Sequence, residues 1–148
     1  MTNIKIFTSG KMGGLNTNES MNWRENIEKI LRKKCEKRTD INITFVHPPK
    51  YYDYDYPDQK ECEEWEIMQL TSSDIVIVHL NDIKDSIGTH MELGILKAIK
   101  NKTPKPIYVV GLGEPNVKHP WIDSIILHKE KTATNLADYI INYILSTI

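Results

Sequence analysis

The residues best suited to chemistry lie in the stretch Ser86-Ile-Gly-Thr-His-Met-Glu-Leu-Gly94. Thr89 or Ser86 can cap a helix that begins here, and the free amides of its first turn favour negative charge nearby. A carboxylate placed there, as Glu92 is, can serve as a nucleophile or a proton carrier. A plainer use also fits. Thr89 and Glu92 have the Thr-x-x-Glu spacing of a capping box, in which the glutamate only satisfies a backbone amide. On spacing alone the capping box is the simpler reading.

A second candidate is Ser9-Gly-Lys-Met-Gly-Gly-Leu15. Gly10, Gly13 and Gly14 permit positive φ and let backbone amides approach an anion, with Lys11 beside them. The spacing is neither that of a P-loop nor that of a dinucleotide fingerprint, and Gly111-Leu-Gly113 is no fingerprint either. A ligand contact and a flexible turn both fit this loop. In His47-Pro-Pro-Lys-Tyr-Tyr-Asp-Tyr-Asp-Tyr-Pro-Asp58, Tyr51 and Tyr52 lead four tyrosines that offer stacking faces to a planar base. They would serve a dimer contact equally well. His47, His79, His90, His119 and His128 show no ligand spacing, and Cys35 and Cys62 read as two reduced thiols. No metal and no cofactor are expected.

Short β-rich runs and amphipathic helices alternate along the chain. The strands are expected at Ile4–Thr8, Ile41–Val46, Asp74–Leu80, Pro106–Val110 and Ser124–Leu127. The third and fourth are nearly continuous in Ile and Val, as strands covered on both faces are. Helices are expected over Glu19–Lys37, Lys60–Leu70, Thr89–Lys100 and Thr134–Ser146. In the first, Trp23, Ile27, Ile30 and Leu31 form the inward stripe and the Lys, Arg and Glu residues the outward one. Trp65, Met68, Met91 and Tyr143 are among the residues expected to pack inward in the others. Five alternations argue for one domain, 1–148, with a doubly wound, five-stranded parallel sheet. In such sheets ligands lie beyond the carboxyl ends of the strands, so both candidate loops fall on the reactive edge.

The bulk composition narrows the partners. The 148 residues carry 19 basic and 20 acidic side chains, a net charge of −1, which gives no general affinity for nucleic acid polymers or anionic membranes. No apolar run approaches the roughly 18 residues of a membrane span, and the polar start Met1-Thr-Asn-Ile-Lys5 does not read as a signal peptide. A cytoplasmic protein is expected.

Taken in order, several segments resemble the nucleoside 2-deoxyribosyltransferase-like family. They are Lys5-Ile-Phe-Thr-Ser-Gly-Lys-Met-Gly-Gly-Leu15 with Asn22-Trp-Arg24, and Ser73-Asp-Ile-Val-Ile-Val78 with Ser86–Gly94. Pro106-Ile-Tyr-Val-Val110 and His119-Pro-Trp121 continue the resemblance, which spans most of the chain. The family includes transferases that move deoxyribose between bases and hydrolases that remove the base from nucleoside 5′-monophosphates. By this resemblance Glu92 is the nucleophile that attacks the anomeric carbon, and a second base or water completes a retaining double displacement. A second acid must protonate the departing base. The family's aspartate for that task is matched here by Glu66, the same group carried one methylene further out.

Two more positions depart from the family pattern. Where deoxyribosyltransferases have an aspartate for the sugar's 5′-hydroxyl, this chain has Ser86, with Asp85 one place out of register. The monophosphate-hydrolysing branch likewise carries serine. A serine hydroxyl at a helix N-terminus can donate to a phosphate that an aspartate would repel. Ser86, Gly10, Lys11, Gly13 and Gly14 are then a candidate phosphate cradle, with Gly88 and Thr89 also against the substrate; a polar turn is the alternative for Ser86. Phe7 stands where the family commonly has a tyrosine. Phenylalanine opens space for a 2′-hydroxyl or simply fills the core. The resemblance implies a nucleoside or nucleotide substrate and a homodimer or higher homo-oligomer, with Glu114–Asp123 reaching the neighbour. The changes at Phe7, Glu66 and Ser86 also suit a nucleotide-binding module without turnover.

Overall fold

The computed structural model describes residues 1–51 and 58–148. Strands β1 (Thr2–Ser9), β2 (Ile41–Val46), β3 (Ile75–His79), β4 (Tyr108–Leu112) and β5 (His128–Glu130) form one sheet. Every pairing is parallel and the order is β2-β1-β3-β4-β5. The helices are α1 (Thr17–Lys34), α2 (Pro48–Tyr51), α3 (Gln59–Thr71), α4 (Ile87–Ile99), α5 (Pro120–Ile125) and α6 (Ala133–Tyr139). A π turn, Ile140–Ile144, and a 3-10 turn, Leu145–Thr147, prolong α6. The architecture is the doubly wound parallel sheet that the alternation predicts.

The period of two in the strands sends side chains into two separate cores. Ile4 and Ile6 of β1 and Ile75 and Ile77 of β3 join Ile27 and Leu31 of α1 and Leu136 and Ile140 of the last helical segment. On the other face Phe7, Val76, Val78 and Val109 meet Leu70 of α3 and Leu93 and Leu96 of α4. Central strands are therefore buried on both sides, which explains their unbroken Ile/Val runs.

Several expected boundaries are corrected. The fifth strand is His128–Glu130 and not Ser124–Leu127: Pro120 starts α5 behind a His119 cap, whose Nδ1 accepts from the Trp121 amide at 3.2 Å. Ile125 belongs to that helix and is buried against the α3/α4 side. The strand is the polar segment after it, as suits a short sheet edge. The helix expected from Thr89 begins at Ile87. Met68, Met91 and Tyr143 are exposed, at 60%, 64% and 69%. In α3 the inward stripe runs through Cys62, Trp65 and Leu70, and the 100° step per residue turns Met68 outward. Among the described residues no helix is long and apolar enough to cross a membrane.

Two glycines of the β4 region are explained by packing. A Cβ on Gly111 would lie 2.6 Å from Leu80 Cδ1. Gly113 has φ +100°, and a Cβ there would meet Asn81 Oδ1 at 2.3 Å, the atom that accepts from the Glu114 amide. Gly113→Ala should therefore lower stability by about 1–3 kcal/mol, from the left-handed backbone and the displaced Asn81 together. Urea titration of the two proteins measures it, and an unchanged midpoint would contradict the geometry.

Candidate active site

The order β2-β1-β3-β4-β5 reverses direction between β1 and β3. From β1 the chain crosses to α1 on one face, and from β3 it reaches α4 on the other, so a crevice opens at the carboxyl ends of these two strands. A cleft of about 610 Å³ lies there, lined by the Gly10–Leu15 loop, the start of α1, Pro49, Glu66 of α3 and residues 85–89 and 92. Its volume is that of an ordinary small-molecule site. A second concavity of about 430 Å³ runs between α3 and α4 and shares Glu66, Gly88 and Glu92 with it.

Glu92 stands at that junction. Because α4 begins at Ile87, Glu92 lies in its second turn, and the first turn carries no acidic residue. The capping box does not form. Thr89 instead bonds Ser86, hydroxyl to hydroxyl at 2.6 Å, and the Ser86 side chain caps no amide. The Glu92 carboxyl turns toward the sheet, where Ser9 at the end of β1 donates its Oγ proton to Oε1 at 2.9 Å. Glu92 as a residue keeps some solvent contact, but its Oε2 has none. No hydrogen-bond donor of the described residues reaches that oxygen, and the neighbouring carboxyl is that of Glu66.

Such a carboxyl resists ionisation. Burial, then the Glu66 charge and a proton shared with Glu66, push Glu92 well above the ordinary glutamate value, against the Ser9 bond and the Arg24 charge. Glu92 is therefore held toward its neutral form. Arg24 is the nearby cation: fully buried, it is drawn down to about 10 by desolvation while Glu92 and Glu66 pull it up, so it stays charged at neutral pH.

The cleft brings together Gly10, Gly13, Glu66, Ser86, Gly88, Thr89 and Glu92 from among the expected site residues. Lys11, Gly14, Phe7 and Tyr51 do not line it. Phe7 is wholly buried beneath α3 and α4, and Tyr51 packs on Trp65 with ring centroids 4.5 Å apart. Tyr52 lies outside the described residues. Gly10 is required by packing, since a Cβ there would come within 2.7 Å of Trp23 Cζ2. Gly14 holds φ +78°, the left-handed turn that its type permits.

Three contributors escape the sequence reading. Ser9 was only the start of a glycine loop, and Asp85 stood out of register yet lines the cleft. Arg24 was assigned to the polar face of α1, but it lies on the buried stripe Ser20, Arg24, Ile27, Leu31. Its spacing of three from Ile27 and seven from Leu31 was the available signal. The charged side chains lining the cleft are Glu66, Asp85 and Glu92, with no Lys or Arg among the described residues. Nor do three His, Cys, Asp or Glu side chains gather there as a metal ion would need.

The sequence matches no protein-family model and no curated protein. The fold is similar to the crystal structure of a conserved protein from Enterococcus faecalis V583, with a TM-score of 0.66 over 93% of this chain and 96% of that one. The two are 14% identical, so the likeness concerns the fold alone.

Glu92→Gln tests the electrostatics directly. The folded-state proton affinity of Glu92 is raised, so its stabilising contribution is full below the ordinary value of 4.5 and is lost as pH rises. Glutamine carries no charge to bury. The variant should melt above the parent at pH 8 and approach it near pH 4.5, each kcal/mol reading as about 3 °C in a domain of this size. A pH-independent difference would contradict the buried-carboxyl assignment.

Proposed function

We propose that this protein cleaves the N-glycosidic bond of a nucleoside or nucleoside 5′-monophosphate through a covalent glycosyl-Glu92, either transferring the sugar to another base or hydrolysing it. One observation carries the reading. A buried carboxyl, with one oxygen shielded from solvent, stands beside a second carboxyl at the edge of a small-molecule cleft. Two coupled carboxyls with opposite proton demands are what this displacement uses.

The chemistry follows from moving one proton. Transfer of the Glu92 proton to Glu66 leaves a carboxylate at Glu92 and an acid at Glu66. Glu92 then forms a C–O bond to the anomeric carbon as the C–N bond breaks. The electron pair departs on the base nitrogen, which takes the proton from Glu66. Water or an incoming base next gives its proton to Glu66 and attacks the same carbon, releasing Glu92. Ser9 holds Oε1 and steadies the carboxylate when it forms. The second oxygen is shielded from solvent, and an oxocarbenium-like centre would supply the positive charge that the carboxylate needs there.

The acidic lining bears on the substrate's far end. Asp85 and the single negative charge shared by Glu66 and Glu92 oppose a 5′-phosphate, whereas a 5′-hydroxyl can donate to Asp85. Against this, Ser86 with Thr89 and the amides at the start of α4 suit an anion. The electrostatic balance favours the free nucleoside.

Incubating the protein with ribo- and deoxyribonucleosides and their monophosphates, with and without an acceptor base, separates the cases by chromatography. Free base without acceptor identifies a hydrolase, and a new nucleoside only with acceptor identifies a transferase. Glu92→Gln should lower turnover by roughly 10³-fold or more while leaving binding within severalfold. No product from any pair, with measurable nucleoside binding, would replace this reading by that of a binding module.

A further inference from the structure

We propose that Arg24 is the positioning residue of this site: one buried guanidinium that ties the start of the loop along the cleft and the first turns of α1 to the strand end presenting Ser9 to Glu92. It does not line the cleft and is wholly buried. Its Nη2 donates to the Gly10 carbonyl at 3.1 Å and its Nη1 to the Ser20 carbonyl. Gly10 and Ser20 both line the cleft, Gly10 at the start of the loop that leaves β1 and Ser20 within the first turns of α1 beyond it. Its Nε donates to Thr8 Oγ1 at 3.1 Å, and Thr8 is the residue before Ser9. The fork geometry of guanidinium lets one group fix three points that a lysine would not.

A chain of bonds behind Arg24 fixes the guanidinium in turn. Thr8 Oγ1 lies 2.8 Å from His47 Nδ1, and His47 Nε2 lies 2.6 Å from Glu28 Oε1. With the buried His47 uncharged, Nε2–H donates to Glu28 and Nδ1 accepts the Thr8 hydroxyl proton. Thr8 oxygen is then left to accept from Arg24, and every donor is used. The longer Thr8 contact to the Val46 carbonyl, 3.3 Å, becomes secondary. The Trp23 ring lies 4.7 Å from the Arg24 guanidinium carbon on a further side. Arg24 thus reaches no ligand, yet its charge acts on both Glu92 and Glu66.

The role rests on Glu92 being the reacting group, but its test needs no substrate. Glu92 titration is followed by side-chain carbon NMR, and amide hydrogen exchange is followed over residues 10–20, in Arg24→Met, Arg24→Lys, Thr8→Val and His47→Gln. Arg24→Met should titrate Glu92 at higher pH than the parent. Arg24→Lys should return the titration to the parental pH while exchange stays fast. Thr8→Val and His47→Gln, which keep the cation, should quicken exchange in 10–20 by about tenfold and leave the titration in place. Parental exchange in both of these variants overturns the proposal, as does a parental Glu92 titration in folded Arg24→Met. Should Arg24→Met fail to fold, the other three still decide. If nucleosides are turned over, the same split reappears as a raised KM in Thr8→Val and a displaced acid limb of kcat in Arg24→Met. A protein inactive on every nucleoside leaves the NMR and exchange results decisive.

Discussion

The site depends on keeping one carboxyl oxygen away from water. Desolvation alone disfavours the charge on Glu92, and the neighbouring Glu66 disfavours it further. Only Ser9 and the Arg24 charge oppose them, and the hydrogen bonds of Arg24 go to two backbone carbonyls and Thr8. The result is a carboxyl held in its neutral form to higher pH than an ordinary glutamate. A carboxylate fully paired with arginine would be ionised at all relevant pH and would have no proton to give.

The sheet makes this arrangement possible. Ser9 is the last residue of β1, and β1 pairs with β3 through Ser9 and Val78. The chain after β3 returns as α4 on the α3 face, while α1 descends on the opposite face. Glu92 and Arg24 therefore approach the same strand end from opposite sides of the sheet. Neither helix alone could supply both charges without pairing them directly.

Much of this was legible in the sequence. The first four strands, the four longer helices, the burial of the central strands on both faces and the placement of Glu92 near the carboxyl edge follow from periodicity. The failures have physical causes. Ser124-Ile-Ile-Leu127 is apolar enough for a strand, but the His119-Pro120 cap upstream recruits it to a helix. Thr89 and Glu92 have capping-box spacing, yet the helix starts two residues earlier and removes Glu92 from the first turn. Arg24 was misplaced because charge outweighed spacing in assigning its face. Phe7 sits on the Glu92 side of the sheet, but one turn of packing keeps it from the cleft. Long-range bonds such as Ser9 to Glu92 leave no trace in local pattern.

The two edges of the sheet carry a consequence for how copies of this chain could meet. β5 is three residues long, and its side chains His128, Lys129 and Glu130 are all polar. Short and polar edges give a foreign strand little to add to. At the other edge Arg32 of α1 reaches over β2 and donates through Nη1 to the Ile43 carbonyl at 3.1 Å, occupying an acceptor that an incoming strand would need. Growth by continuing the ladder is hindered at both ends. The apolar surface left open lies on a helix instead, where Ile87 and Met91 of α4 stand exposed one turn apart.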